Sequence, residues 1–309
     1  MKITLKNFGP IKQATFAPGD LTILCGGNNT GKTYATYALF GFLTYWNDSF
    51  IVSIKDQEIQ YLMNEGSIDL DIQKYIDSAP AILENACEDY TKTLARVFAA
   101  SQRNFKNSEF KIELNLKHIH PQATFERSMG SSTTQVLTIS KNADSPLVNF
   151  SLLFGNKKTQ FSPNFFGKIL GDALKEIIFG HLFPSPFIAS AERTGAAIFK
   201  KKIISTRNRL LKDMSSVGEN IDAVELFSKL YADYALPVIW NVEFIRGLEK
   251  ISKSDSFITK EHPDILDDFS DIIGGKYLVS ENDELYFVPK GKKIKLTMDE
   301  SSSAVRSLL

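Results

Sequence analysis

The eight residues Gly26-Gly27-Asn28-Asn29-Thr30-Gly31-Lys32-Thr33 constrain what this chain can fold into more than any other stretch. They fit G-x-x-x-x-G-K-[ST], a pattern in which each fixed position has a physical task. The glycines let backbone N–H groups converge on phosphate oxygens, and the unpaired N–H groups that open a helix add partial positive charge. Lys32 is expected to reach the β- and γ-phosphates of a nucleotide, and the Thr33 hydroxyl to bind Mg²⁺. Tyr34 joins them as a candidate nucleotide contact. Upstream, LTILC (Leu21 to Cys25) is too apolar to have a wet face and reads as a buried strand feeding Gly26. Downstream, Tyr34, Tyr37, Ala38, Phe40 and Leu43 recur at helical spacing without proline or charge. The expected unit is strand, glycine loop and buried helix, with ATP and Mg²⁺ as its ligands.

Composition narrows the setting. The 36 Lys+Arg balance 36 Asp+Glu, which removes the argument that the whole chain is an electrostatic sleeve for nucleic acid. Hydrophobic residues at 43% make it a globular protein, and 309 residues suffice for a core with one or two insertions. Cys25 and Cys87 imply no disulfide framework. The start MKITLKNFGP has no apolar signal core, and no apolar run approaches the roughly 18 residues of a membrane span. A cytoplasmic, soluble protein with no membrane partner is expected.

Ahead of the loop, Ile3 and Leu5 alternate with Lys2, Thr4 and Lys6 before Gly9-Pro10 turns the chain into a second extended run, Ile11 to Ala17. This hairpin followed by GGNNTGKT resembles the ABC-type ATPases of the SMC, RecF and OLD group, over residues 1 to 42. The resemblance implies an α/β fold: a P-loop NTPase of ABC/SMC-head type with an antiparallel β subdomain and a helical arm. It also implies that Phe8 to Lys12 lie near the nucleotide base.

The remaining chain divides by pattern. Residues 1–47 are expected to hold the hairpin and the phosphate-loop unit, and 48–183 a helical and β-rich insertion. Within it, Asp48 to Ala100 reads as helical, with Ile72, Tyr75, Ile76, Ile82 and Leu83 as its apolar stripe. Extended runs follow at Phe110 to Leu116, Gln135 to Ile139 and Val148 to Phe154. His118 and His120 share a strand face, but no third ligand has matching spacing, so a satisfied or exposed pair outweighs a metal site.

Residues 184–199 are expected to return to the core, with Phe187 to Ala189 as a buried strand and Ser190-Ala191-Glu192-Arg193-Thr194-Gly195 as the loop leaving it. A similar E-R-[ST]-G loop in OLD- and PtuA-like ATPases implies that Glu192 or Arg193 senses the nucleotide or its metal; the alternative is an ordinary surface ion pair. Residues 200–272 read as a helical arm, opening with Lys200-Lys201-Lys202 and carrying Arg207, Arg209 and Lys212, and interrupted by Pro237. That basic opening favours a solvated helix face over a nucleic-acid contact.

Residues 273–309 read as a small β meander, KYLVS, ELYFVP and KIKLTM, that delivers the chain to DESSSAVRSLL. In the resembled group a similar meander ends in a serine-rich signature. Ser301, Ser302 and Ser303 are therefore expected to meet the γ-phosphate of ATP held by another protomer; a plain helix cap at Ser302 or Ser303 is the alternative. Ala304 stands where glycine is usual, and Glu300 where leucine is common. Asp299-Glu300 follows an alternating run and precedes the signature, so it is not read as the carboxylate pair that holds Mg²⁺ and polarises water. The catalytic carboxylates are accordingly expected outside these residues, in a longer ATPase, so that these residues alone bind ATP without efficient hydrolysis; the alternative is a natural half-site that binds ATP without hydrolysing it alone.

The resemblance implies an ATPase whose dimers, or higher homo-oligomers, form around ATP. It is most like PtuA of Septu and retron-associated anti-phage systems, with an HNH-type nuclease partner and, in retron versions, a reverse transcriptase and its nucleic acid. The alternative is a RecF- or SMC-like ATPase of DNA repair or chromosome maintenance that clamps DNA.

Overall fold

A computed structural model describes residues 1–114, 120–131, 134–153, 162–195, 234–248, 250, 253, 256–280 and 284–307. In chain order the first part contains β1 (Lys2–Phe8), β2 (Ile11–Phe16), α1 (Lys32–Ser49), α2 (Asp56–Glu65), β3 (Ser67–Asp71), α3 (Gln73–Asp77) and α4 (Ala79–Val97). A 3₁₀ turn at Gln102–Phe105, β4 (Glu109–Glu113), β5 (Phe125–Ser131), β6 (Thr134–Lys141), β7 (Leu147–Leu152) and α5 (Pro163–Phe179) follow. The later part contains α6 (Leu236–Arg246), α7 (Phe257–Glu261), α8 (Pro263–Ile273), β8 (Gly275–Val279), β9 (Leu285–Pro289), β10 (Leu296–Thr297) and α9 (Ser303–Ser307). Residue contacts group these into two units: 1–95 with 101–186, and 96–100 with 187–309.

In the first unit the N-terminal alternation becomes a three-stranded antiparallel sheet of order β2-β1-β4. Phe8 faces Ile11, so Gly9 and Pro10 form a two-residue hairpin loop, and Gly9 supplies the positive φ (52°) its first position requires. The run from Phe110 was expected within the β-rich insertion; it instead completes this sheet, with Ile112 opposite Ile3 and Phe110 opposite Leu5. Period-two alternation identifies a strand but not its neighbour. Here the edges match in charge, Lys2 with Glu113 (3.4 Å) and Lys6 with Glu109 (2.9 Å).

A second antiparallel sheet, β3-β7-β6-β5, forms within the expected insertion. β3 corrects the helical reading of residues 48–100: Ile68 and Leu70 alternate along it and pair with Phe150 and Val148. The predicted stripe is buried at Ile72, Tyr75 and Leu83 and half-buried at Ile76 and Ile82. α5 was not anticipated; Ser162 caps its start by accepting from the Phe165 N–H, with Pro163 following.

An aromatic cluster is the heart of this unit. Phe42 on α1 stacks on Phe110 (5.1 Å between ring centres) and meets Tyr90 (5.5 Å), Phe183 (5.4 Å) and Phe50 (6.1 Å) edge-on. The Tyr90 hydroxyl, fully buried on α4, donates to the Ala38 carbonyl at 2.6 Å and thereby satisfies its polar end. Helix α1, which carries the glycine loop on its first turn, is thus fixed to α4, β4 and the segment after α5.

In the second unit, β10-β9-β8 form the expected meander over a small core of Phe287, Met298 and Val305. Pro237 does not interrupt a helix there. It lies in the first turn of α6, where its missing N–H costs nothing.

Two expected strands are absent. Leu21 to Cys25 runs without a ladder partner among the described residues, and Leu21 and Ile23 are 82% and 73% exposed. Phe187 to Ala189 is likewise unladdered, with Phe187 65% exposed. An apolar run supplies strand propensity, but a strand exists only where another backbone pairs with it. The basic residues Lys200, Lys201, Lys202, Arg207, Arg209 and Lys212, and His118, lie outside the described residues.

Candidate nucleotide site

The glycine loop connects the end of the unladdered run to α1. Asn29 (φ 58°) and Gly31 (φ 97°) take left-handed backbone conformations, reversing the chain so that it enters α1 at Lys32. The first intrahelical acceptor is the Gly31 carbonyl, which takes the Ala35 N–H at 3.0 Å. The N–H groups of Gly31, Lys32 and Thr33 therefore have no intrahelical acceptor. No acidic side chain lies in the first turn of this 18-residue helix to compete for an anion.

Lys32 is folded back over the loop, its Nζ donating to the carbonyls of Gly26 (2.9 Å) and Gly27 (2.6 Å). Thr30 ties the same segment, its hydroxyl donating to the Gly27 carbonyl at 2.9 Å. Gly26, Gly27, Asn28, Asn29 and Thr30 are exposed, as is Thr33, whose hydroxyl has no hydrogen-bond partner among the described residues. These features suit a triphosphate. An ammonium now held by two neutral carbonyls gains a stronger, charge-assisted partner in a phosphate oxygen. The free Thr33 hydroxyl is the group that would hold Mg²⁺, which when bound neutralises phosphate charge.

Tyr34 differs from its neighbours: its ring is half-buried against Gly9 of the hairpin turn. The turn expected near the base therefore meets the loop and the start of α1.

The second unit brings together the two other candidate segments. Asn241, buried on α6, holds the chain entering Ser190 to Gly195: its Oδ1 accepts from the Ser190 N–H (3.0 Å) and hydroxyl (2.7 Å), and its Nδ2 donates to the Ile188 carbonyl (2.5 Å). Arg193 continues the turn by donating to the Ser190 carbonyl at 2.9 Å, while Glu192 is exposed. The Thr194 hydroxyl then donates to the Arg306 carbonyl of α9 at 3.3 Å. Tyr277 of β8 donates to the adjacent Val305 carbonyl at 2.5 Å. The E-R-T-G loop and the serine segment thus share one small structure. Asn241 was not anticipated, and its signal was a lone amide inside the apolar run LPVIWNVEFIR.

The three serines are not equivalent. Ser301 is 5% exposed, with its hydroxyl donated to the Thr297 carbonyl at 2.8 Å, so it braces the end of the meander and its donor is already used. Ser302 caps α9, accepting the Val305 N–H at 3.3 Å, and Ser303 begins it; both are exposed. Glu300 closes the preceding turn. Its carboxylate accepts from the Thr297 N–H (2.9 Å) and hydroxyl (2.8 Å), and those two bonds hold its pKa below the ordinary value.

Among the described residues no group of three or more metal-ligating side chains occurs. His120 is exposed and influences His181, whose imidazole is held below its usual pKa first by burial and then by His120. No described helix is long and apolar enough to cross a membrane.

No curated protein and no solved structure matches the chain. A family model described as an AAA ATPase domain matches residues 1–160, a little over half of the 309, and takes in the hairpin and the glycine loop. The chain therefore carries an N-terminal ATP-binding and ATP-hydrolysing domain of mixed α/β fold, and belongs to the AAA ATPase domain family.

Proposed function

We propose that this is an ABC/SMC-like ATPase subunit, in which ATP and Mg²⁺ held by Gly26 to Thr33 of one copy are capped by Ser302 and Ser303 of a second. The observation that carries the reading is the state of the two hydroxyl-bearing ends. Thr33 is exposed and its hydroxyl is unbonded among the described residues, and Ser302 and Ser303 are exposed on a segment braced by Ser301, Thr194 and Tyr277. Exchanging the two ends between identical copies gives a closed two-fold dimer with two nucleotides inside. On this reading the loop around Glu192 and Arg193 reports nucleotide state, since its Thr194 bonds the serine-bearing helix. The dimer in turn controls an associated HNH-type nuclease in bacterial anti-phage defence, the role implied by the resemblance of the hairpin, loop and E-R-T-G segment to PtuA-type ATPases.

Light scattering with and without Mg·ATP tests the scheme. The unaltered chain is expected to double in mass with nucleotide. Lys32→Ala is expected to lose ATP binding by at least a hundredfold and with it the dimer. Ser302→Arg is expected to bind ATP normally yet remain monomeric, and ATP-dependent dimerisation of Ser302→Arg would show that the serines do not form the cap.

A further inference from the structure

The tip of the β1–β2 hairpin and the end of the glycine loop interlock through two glycines, one on each partner. At Gly31 a Cβ would lie 2.3 Å from Ile11 Cγ1 and 2.8 Å from its Cδ1, with Pro10 Cγ at 3.4 Å. At Gly9 a Cβ would lie 2.6 Å from both Cε1 and Cζ of Tyr34. Hence Ile11 rests directly on the Cα of Gly31, and the Tyr34 ring rests directly on the Cα of Gly9. Gly31 is buried and Ile11 is 8% exposed, so this contact is dry. Both glycines have positive φ, 52° at Gly9 and 97° at Gly31, so the close approach and the chain reversal demand the same residue type.

The contact sits beneath the N–H groups that the nucleotide reading needs. Gly31 at φ 97° aims its own N–H and those of Lys32 and Thr33, and a flat aliphatic floor against its Cα limits the other conformations open to a glycine. We propose that Gly9 and Ile11 are positioning residues for nucleotide: the hairpin turn holds the glycine loop in its phosphate-accepting conformation, although no side chain of the turn is needed to touch the nucleotide. This rests on the reading of Gly26 to Thr33 as an ATP site. It differs from that reading in assigning a binding role to residues outside the motif, by way of packing alone.

The experiment measures the affinity of a fluorescent ATP analogue together with the melting temperature of the same samples. Gly9→Ala drives a methyl group into the Tyr34 ring and is expected to weaken ATP binding by about tenfold or more. Tyr34→Ala in the same chain removes the ring but not the left-handed strain of alanine at position 9, so the double variant is expected to regain part of the affinity lost in Gly9→Ala, a rescue that general destabilisation does not produce. Gly19→Ala, where an added Cβ meets nothing within 4 Å, is the control and is expected to leave affinity unchanged. Should Gly9→Ala fail to fold, Ile11→Ala carries the same test by removing the floor under Gly31, with Ile11→Val expected to restore binding. Wild-type affinity in folded Gly9→Ala, or a double variant no better than Gly9→Ala, would overturn the proposal. A failure of the unaltered chain to bind ATP would overturn the loop reading beneath it.

Discussion

The two units hold their candidate residues by different physics. In the first, α1 is carried by an aromatic cluster, with Phe42 against the rings of Phe50, Tyr90, Phe110 and Phe183, and nearly every large side chain in that cluster is buried. In the second, directional hydrogen bonds hold the candidate loop, among them those of Asn241 to Ser190 and Ile188 and that of Thr194 to the Arg306 carbonyl, and the serine segment rests on a core of Phe287, Met298 and Val305. Phe187, Trp240, Phe244, Ile265 and Ile272 of that unit stay 65%, 42%, 36%, 49% and 75% exposed. A phosphate loop must keep several N–H groups aligned at once, which suits a helix set in a dense core. Under the proposed function, a segment that senses or caps a bound nucleotide would change its contacts with nucleotide state, which suits directional hydrogen bonds such as those of Asn241 and Thr194.

The largest expected effect breaks the first half of that contrast. Phe42→Ala removes the ring at the centre of the cluster and is expected to cost about 3–5 kcal/mol, seen as a fall in the calorimetric transition of the first unit. Hydrogen exchange should show the loss of protection in α1, α4 and β4. Equal loss over β8 and β9 would mean that the two units unfold together and that the contrast has no energetic content.

A smaller effect sharpens the second half. Asn241→Ala leaves the Ser190 N–H and hydroxyl and the Ile188 carbonyl without their partner, at a cost on the order of 1–3 kcal/mol. Faster exchange and proteolysis are expected at residues 188 to 195, with the transition of the first unit unmoved. Asn241→Asp, which sets a second acceptor against the Ile188 carbonyl in a buried position, should disturb the segment at least as much as Asn241→Ala. Unchanged protection in Asn241→Ala would show that the loop is held by something other than this amide.

The smallest effect concerns pH. Burial first and His120 second lower the His181 pKa in the folded chain. The native state then binds fewer protons than the unfolded state just below about pH 6.5, so this contribution to stability is present above that value and lost as the pH falls through the folded pKa. Because His181 is exposed, solvent screens most of it. His181→Gln is expected to flatten slightly the fall in Tm of the first unit between about pH 7 and pH 5; parallel profiles would exclude His181 as a source of that slope.

Much of the candidate nucleotide site was legible because its information is local. A glycine loop, a lysine and a hydroxyl at fixed spacing before an apolar helical pattern are all read within Gly26 to Leu43, and α1 follows from Lys32 as expected. What failed was partnership. Leu21 to Cys25 and Phe187 to Ala189 have strand composition but no ladder among the described residues, and the run at Phe110 pairs with β1 across about a hundred positions of sequence. Ser301, Ser302 and Ser303 are identical as letters, yet the turn that places the Thr297 carbonyl beside Ser301 alone separates a brace from two exposed hydroxyls.

By itself, then, the sequence determined the phosphate loop, the hairpin turn at Gly9-Pro10 and the meander, because backbone conformation, periodicity and turn chemistry act over a few residues. Only the tertiary structure decided that the hairpin tip packs under Gly31, that Asn241 anchors the loop at Ser190, and that Thr194 meets the serine-bearing helix. Those contacts join positions far apart in the chain, and their existence depends on which surfaces the core brings within a few ångströms of one another.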